Sequence, residues 1–448
     1  MSRSLEQAVR GNASLAWSRE TPPAWNCAPA LAASRLPFLC LVGFVATQGY
    51  LVPLFPLPVS WAVWPSLPDI FGAGLVLTVV LSRYRMEPSP FTKGIQKDLL
   101  WIGLALLANF LLITIPSSET GKGIRYGGFA LILMAKYIAV YWAAARIPFG
   151  RKRVQVLHIA ALLAFLWVVA TMLADRFHLI EIDTFTDHLP KATAGYWSAR
   201  VPLCSTVSPR HGGTTVVILI LGALVVGTAQ HRFARLIEVL VFALGTAGCF
   251  ISGSRQGLVR MITFVVVYAV RRPLRYLMLM LLLALLILVA REAIDWTLWG
   301  DNPSFLWALE RQEILLSDPF SSEGMSGRPE LWRRVVDILN EEPIRWVIGY
   351  GLGNYVEYRA ASHNMVLRLI QDGGFIELLL VGFLWIRVFR RVWGARREAW
   401  PVVALTTALL TSVYTSAIFY PTLATGWYLG LFFVALHVME QSSLHSTL

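Results

Sequence analysis

The sequence is poor in charged residues. Only 15% of its 448 residues are Asp, Glu, Lys or Arg, whereas 56% are hydrophobic. An ordinary globular domain has about 25% charged residues. A soluble core cannot hide this much apolar surface, and disordered chains are far less hydrophobic. The composition therefore excludes secreted, disordered and purely cytosolic classes and predicts a membrane protein with many spans.

Cysteine is scarce as well, and several familiar catalytic motifs are missing. The four cysteines, Cys27, Cys40, Cys204 and Cys249, lie far apart and form no CxxC pair. Neither a zinc site nor a disulfide framework is therefore predicted. The sequence also has no Gly-x-Ser-x-Gly elbow, no His-Glu-x-x-His motif and no Walker loop.

Long apolar runs dominate what is present, and they predict an all-α fold with about twelve transmembrane helices. The runs lie near 36–57, 66–82, 99–116, 126–145, 154–174, 214–230, 236–252, 257–270, 276–290, 373–389, 402–418 and 421–440. The first 35 residues carry four arginines and no early apolar run, which predicts a cytoplasmic segment and not a signal peptide. We thus predict a transmembrane domain over 36–440 between cytoplasmic segments 1–35 and 441–448.

Basic residues predict the orientation of these spans. They cluster in every second connection, as expected for cytoplasmic loops. The clusters are Arg83, Arg85, Lys93 and Lys97; Arg146, Arg151, Lys152 and Arg153; Arg232 and Arg235; Arg271, Arg272 and Arg275; and Arg387, Arg390, Arg391, Arg396 and Arg397. Both termini are predicted to be inside. Because topology explains the net charge of +12, no nucleic-acid partner is predicted.

Two long loops are predicted on the outer face, at about 175–213 and 291–372. Channels and carriers tend to have short connections, whereas long ordered loops usually carry function. The spans show no internal repeat and no inverted pair of broken helices, which weakens a secondary-transporter interpretation.

The end of the second outer loop contains two local features. An apolar period of 3.6 residues after Arg328 and Pro329 predicts a short helix lying on the membrane surface. Three glycines then follow in the five residues 349–353. Such a loop either brings backbone N–H groups close to an anionic ligand or is a flexible turn between two helices.

His363 and Asn364 follow this loop, before an apolar helix that Gly373 and Gly374 are predicted to stop. A neutral imidazole at the outer membrane face is suited to act as general base on a sugar hydroxyl, because its pKa lies near the working pH. The alternative is that His363 only caps the helix.

Four arginines are predicted to reach the same outer surface, against the positive-inside trend: Arg200, Arg210, Arg255 and Arg328. Guanidinium groups bind phosphate oxygens bidentately and keep their charge, so they are suited to clamp a diphosphate. Interaction with lipid headgroups is the alternative for each single arginine.

The order of these motifs resembles the O-antigen ligase and polymerase family. The shared pattern is Ser-Gly-Ser-Arg in a hairpin, Ser-Gly-Arg-x3-Trp, Pro-x5-Gly-x-Gly-x-Gly, and His-Asn followed by Gly-Gly before a span. The resemblance covers residues 200–390 most closely, and the twelve-span layout agrees for the rest of the chain.

This resemblance implies a metal-independent glycosyltransferase with a GT-C-like membrane fold and no cofactor. Its substrate would be an oligosaccharide on undecaprenyl diphosphate at the periplasmic face of the bacterial inner membrane, with flippase, chain-length or export proteins as further partners. The family's loop histidine would be His363, and its arginines would be Arg255, Arg328 and either Arg200 or Arg210.

The resemblance implies two activities, and one residue bears on the choice. Ligases transfer the glycan to lipid A-core and typically carry a small residue or Tyr where this sequence has Glu377. We therefore favour a polymerase of exopolysaccharide or O-antigen repeats. A non-enzymatic export or flipping protein is the alternative from another class. Charged residues such as Lys136, Arg260 and Glu377 would then line a path, or they are instead paired inside the bundle.

Overall fold

The structure is a computed structural model, and every regular element in its described residues is a helix. It describes residues 34–49, 67–82, 87–176, 211–229, 234–251, 255–270, 317, 328–354, 364–394, 400–410 and 426–446. Within these ranges no strand occurs. The predicted all-α class is thereby confirmed for the part of the chain that is described.

Five helices make up the first part of the bundle. They are α1 (Arg35–Ala46), α2 (Leu67–Leu81), α3 (Pro90–Ser117), α4 (Lys122–Ala144) and α5 (Arg151–Arg176). Helix α3 contains a π turn at Phe110–Thr114. Helices α1 and α2 pack against each other, and α4 packs against both α2 and α3.

The remaining helices include a central apolar group and the segment that carries the candidate site. They are α6 (His211–Thr228), α7 (Ala234–Ile251), α8 (Arg255–Ala269), α9 (Arg328–Glu341), α10 (Arg345–Ile348), α11 (Met365–Gly394), α12 (Trp400–Leu410) and α13 (Gly426–Ser446).

Helix α6 forms the centre of the bundle. Its side chains from Val216 to Val226 are almost all apolar and buried, as expected for a helix that is hydrophobic all round. It packs against α5, α7, α8, α12 and α13. This helix therefore holds the second half of the described bundle together.

The described helices agree with most of the predicted spans. Each predicted span overlaps a described helix, except 276–290, which lies outside the described residues. Among the described residues, four helices are long and apolar enough to cross a membrane, and six shorter helices are apolar as well. The four are Pro90–Ser117, Lys122–Ala144, Arg151–Leu173 and Met365–Arg390. This architecture is compatible with a membrane protein, whereas the count of twelve spans stays a prediction.

Contacts at the helix ends show which connections share a face. At one end, Arg153 of α5 donates to the Ser34 hydroxyl at 2.9 Å, and the ring of Phe149, just before α5, lies 5.6 Å from that of His437 of α13. The start of α1 and the end of α13 thus lie on the same face. At the opposite end, Asn354 donates to Ser117, the last residue of α3, at 2.8 Å. The distribution of basic residues in the sequence likewise predicts that these two sets of connections lie at opposite ends of the helices.

Two local predictions are confirmed. Helix α7 ends at Ile251, α8 begins at Arg255, and the two helices pack against each other, as expected for a tight hairpin. Gly374 interrupts α11 with φ of 68° and ψ of −165°, so the apolar helix after Asn364 does end at the glycine pair before the next helical stretch starts.

Candidate functional site

The structure describes two of the five predicted site residues. Arg328 is the first residue of α9 and is half-buried. Arg255 is the first residue of α8, and only its backbone is described. His363, Arg200 and Arg210 lie outside the described residues. The candidate site is therefore built from the residues that surround Arg328 and follow His363.

Asn364 caps the helix that begins directly after His363. Its side-chain oxygen accepts a hydrogen bond from the Leu367 N–H at 3.1 Å, and its carbonyl accepts from the Arg368 N–H at 2.9 Å. Asn is among the best N-cap residues because its side chain satisfies an otherwise unpaired backbone donor. Asn364 thus caps this helix, whereas the function of His363, which lies outside the described residues, stays a prediction.

A buried ion pair occupies the first turns of α11. The Nε atom of Arg368 donates to Oδ2 of Asp372 at 2.6 Å, and both side chains are almost fully buried. The i, i+4 spacing places both groups on one side of the helix. Because a lone buried charge is costly, each of the two charges makes the burial of the other tolerable.

Residues 349–354, which we call the glycine loop, are buried between α3, α4 and α11. Gly349, Gly351 and Gly353 have φ values of 72°, 102° and 87°. A Cβ atom on Gly353 would lie 2.4 Å from the Gly127 backbone nitrogen. Glycine is required there because any side chain would meet backbone atoms and would also need a left-handed conformation.

Backbone N–H groups of the glycine loop are hydrogen-bonded within the protein. Tyr350 donates to the Gln371 carbonyl at 2.7 Å, and Gly351 donates to the Asp372 carbonyl at 3.0 Å. The Leu352 N–H donates to the Asn109 side chain at 2.7 Å, and the Asn354 N–H donates to Gly351 at 3.1 Å. The prediction that this loop offers its N–H groups to an anionic ligand is wrong for these four groups. The loop is a packed connector, not a flexible turn.

Asn109 holds three pieces of backbone together. Its side-chain nitrogen donates to the carbonyls of Ile348 at 3.1 Å and Asp372 at 3.0 Å, while its oxygen accepts from Leu352. It directly precedes the π turn of α3, and π turns often occur at functional positions. The Asn109 amide thereby fixes the glycine loop against both α3 and α11.

Helix α9 packs onto the glycine loop and the first turns of α11. Its Val335 and Leu339 form a small apolar cluster with Tyr350 and Ile370. The Tyr350 hydroxyl donates to the Ile338 carbonyl. The helix that begins at Arg328 and the helix that begins after His363 and Asn364 are therefore in contact. Helix α8, which begins at Arg255, packs against α6, α7 and α12.

Two of the three charged residues proposed to line an export path have partners in the bundle. Lys136 of α4 forms an ion pair with Asp69 of α2, and Arg260 of α8 donates to Gln256 at 2.9 Å. Glu377, the third, is buried in α11. The first two thus belong to the packing of the helices.

Sequence reasoning missed three residues of this region: Asn109, Arg368 and Asp372. Each is polar or charged within an apolar stretch, and that is a recognisable signal, because such residues are costly in a membrane and are kept there for a reason. Among the described residues, no group of three or more His, Cys, Asp or Glu could hold a metal ion.

The fold and the site together define a helical protein compatible with a membrane location. No protein-family model matches the chain, and no curated protein matches it.

Proposed function

We propose that this protein is a polysaccharide polymerase of the bacterial inner membrane, with both termini in the cytoplasm. It joins repeat units carried on undecaprenyl diphosphate at the periplasmic face, without metal and with inversion of the anomeric centre. The ordered motifs of residues 252–374 and their resemblance to the O-antigen ligase and polymerase family motivate this proposal.

One structural observation supports it most directly. Helix α9 begins at Arg328 and packs onto the opening turns of α11, which begins just after His363 and Asn364. The glycine loop fixes this packing through hydrogen bonds to α3 and α11. A rigid frame of this kind is what a catalytic base and an anion clamp need to keep their relative positions.

The proposed reaction is a single displacement. His363 accepts the proton of the attacking hydroxyl on the acceptor repeat. The hydroxyl oxygen forms a bond to the anomeric carbon of the donor chain, and the bond from that carbon to the diphosphate oxygen breaks on the opposite side. Undecaprenyl diphosphate leaves with the bonding electron pair, and the anomeric configuration inverts.

The arginines supply the electrostatic part of this mechanism. Arg328 and Arg255, together with Arg200 or Arg210, bind the diphosphate and stabilise the negative charge that develops as it leaves. Guanidinium groups provide here what a divalent metal ion provides in many other glycosyl and phosphoryl transfers.

The decisive experiment uses purified protein in lipid nanodiscs with synthetic repeats on undecaprenyl diphosphate and no nucleotide. We expect elongation that continues in the presence of a chelator. The variant His363→Ala should lose about 10²–10⁴-fold in rate, the usual cost of removing a general base. The variant His188→Ala, which changes a histidine without an assigned role, serves as control and should elongate normally.

Other outcomes separate the alternatives. If cells with His363→Ala accumulate long lipid-linked chains that never reach lipid A-core, the protein is a ligase. If they accumulate single lipid-linked repeats, it is a polymerase. Wild-type protein that is inert with its own repeat, yet required for surface polymer, would replace the proposal by an export function.

A further experiment tests whether Arg328 binds the diphosphate. If Arg328 binds phosphate oxygens bidentately, Arg328→Lys should be strongly impaired although the charge is kept. Full activity of this variant would restrict Arg328 to a surface interaction.

A further inference from the structure

We propose that residues 343–354 form a re-entrant segment, in which the chain dips into the hydrocarbon layer of the membrane on the α9 side. This segment comprises α10 and the glycine loop. Its exposed face contacts lipid acyl chains. The proposal concerns only how the chain sits in the bilayer, so it holds for whichever reaction the protein performs.

The depth of the segment follows from its contacts with α3. Near one end of α3, Asp98 pairs with Arg387 of α11, whose side chain is half exposed. An exposed ion pair belongs near the polar boundary of the bilayer. Asn109, which binds the Ile348 carbonyl, lies farther along α3 by about 16 Å. Because the hydrocarbon layer is about 30 Å thick, Ile348 lies beyond its midplane and well short of its far edge.

Exposed apolar side chains show that the lipid layer continues past this level. On α3, beyond Asn109, the side chains of Leu111, Leu112 and Ile115 are exposed, and Leu112 has 75% of its surface open. Such side chains near the end of a spanning helix require lipid around them. The hydrocarbon layer therefore extends by about 9 Å along α3 beyond the level of Ile348.

The exposed face of the segment is itself apolar and continues the lipid-facing stripe of α11. Ile344 and Val347 are 57% and 44% exposed. The ring of Trp346 stacks on that of Phe375 with centroids 5.8 Å apart, and Phe375 begins a stripe of exposed apolar residues with Ile376 and Leu379. Continuity with this stripe identifies acyl chains as the occupant.

The backbone of the segment meets the condition that a lipid environment sets. Non-helical backbone is tolerated at membrane depth only where the protein satisfies its polar groups. The N–H groups of Tyr350, Gly351, Leu352 and Asn354 donate within the protein. The carbonyl of Leu352 also accepts from Thr114 at 3.1 Å. The non-helical backbone of the segment is therefore compatible with a position at membrane depth.

The charges of the segment are compensated locally. The Nε atom of Arg345 donates to Glu342 at 2.8 Å, and its guanidinium carbon lies 5.1 Å from the centroid of the Tyr350 ring. Glu342 is exposed and directly precedes the segment. This pair marks the level where the chain passes from the polar interface into the hydrocarbon layer.

Spin labels on single cysteines test the proposal. In a variant without the native cysteines, in nanodiscs, labels are placed at Val347 and Ile344, at Leu112 as the lipid control, and at Arg334, an exposed residue of α9, as the water control. Power saturation then measures the access of dissolved oxygen, which concentrates in lipid, and of a water-soluble nickel chelate.

We expect the labels at Val347 and Ile344 to have oxygen-to-nickel accessibility ratios close to that at Leu112 and far above that at Arg334. Ratios close to that at Arg334 would overturn the proposal and place the segment in water. Access to neither reagent would also overturn it, because another protein surface would then cover this face. Labels at two positions guard against distortion by one of them, and no outcome depends on polymerase activity.

Discussion

Helix α6 and the glycine loop are both buried in the described bundle, but different interactions keep them there. In α6 the backbone satisfies its own hydrogen bonds, and burial rests on apolar side chains that pack against five neighbouring helices. In the glycine loop the backbone bonds to residues of α3 and α11 that are distant in sequence. A helix satisfies its backbone N–H and C=O groups by hydrogen bonds within itself. A buried loop needs hydrogen-bond partners from other parts of the chain.

This difference predicts different tolerance to substitution. Side chains that pack on α6 can shift by a few tenths of an ångström, because the atoms they meet belong to other side chains. The glycine loop meets backbone atoms that cannot move without breaking hydrogen bonds. Equal substitutions in the two regions should therefore have unequal effects.

The largest contrast is expected from alanine at Gly353 and at Gly222 of α6. At Gly353 the new Cβ atom would lie 2.4 Å from a backbone nitrogen, with φ at 87°. At Gly222 it would lie 3.0 Å from a Val241 methyl group. We expect Gly353→Ala to lower the free energy of unfolding by more than about 4 kcal/mol, and Gly222→Ala by about 1 kcal/mol. Thermal unfolding of the purified variants measures both, and equal losses would contradict the contrast.

Loss of the buried ion pair between Arg368 and Asp372 should cause the second-largest decrease in the free energy of unfolding. Arg368→Met leaves the Asp372 carboxylate buried without its guanidinium partner, which should cost about 3–5 kcal/mol of unfolding free energy. The double variant Arg368→Met, Asp372→Leu removes both charges and should recover much of this loss. A double variant no more stable than Arg368→Met would show that the pairing of charges is not what matters here.

Removal of the Asn109 amide should lower the free energy of unfolding by less than the loss of this ion pair does. Asn109→Leu leaves the Leu352 N–H and the Ile348 carbonyl without the partner they have in the native protein. We expect a loss of about 2–4 kcal/mol, because unpaired buried polar groups are costly. The matched control is Thr263→Val on α8, which removes an exposed bond to the Val259 carbonyl and should change the stability by at most about 0.5 kcal/mol. Similar losses in both variants would argue against a special role for Asn109.

The smallest effect is expected at the exposed ion pair between α3 and α11. Asp98→Asn should change the unfolding free energy by about 1 kcal/mol or less, since half of the Arg387 side chain is exposed. The change should shrink further at high salt concentration. A loss as large as that of Arg368→Met would mean that this pair is shielded from water, and the depth assigned to residues 343–354 would have to be revised.

Much of the fold could be predicted from hydropathy and charge alone. The apolar runs predict α1 to α8 and α11 to α13, and the period of 3.6 residues predicts α9, because each of these signals is local. The shape of α3 was harder to foresee. It begins at Pro90, nine residues before the predicted start, because Ser89 caps it and its first turns are amphipathic.

The candidate site could be predicted only in part. The motif order pointed to residues 328–374, and the structure places α9, the glycine loop and the start of α11 in contact. The binding of loop N–H groups by Asn109 and by the carbonyls of Gln371 and Asp372 could not be predicted. The longest of these bonds joins Leu352 to Asn109, 243 positions apart, and no local pattern in a sequence reports such a pairing.

Hydrogen exchange in nanodiscs tests most directly whether the glycine loop is a fixed part of the membrane bundle. The N–H groups of Tyr350, Gly351, Leu352 and Asn354 are buried and bonded. We expect them to exchange about as slowly as those of α6, whereas the exposed connection between α3 and α4 at 118–121 should exchange quickly. Exchange of the glycine loop as fast as that of this connection would contradict the account.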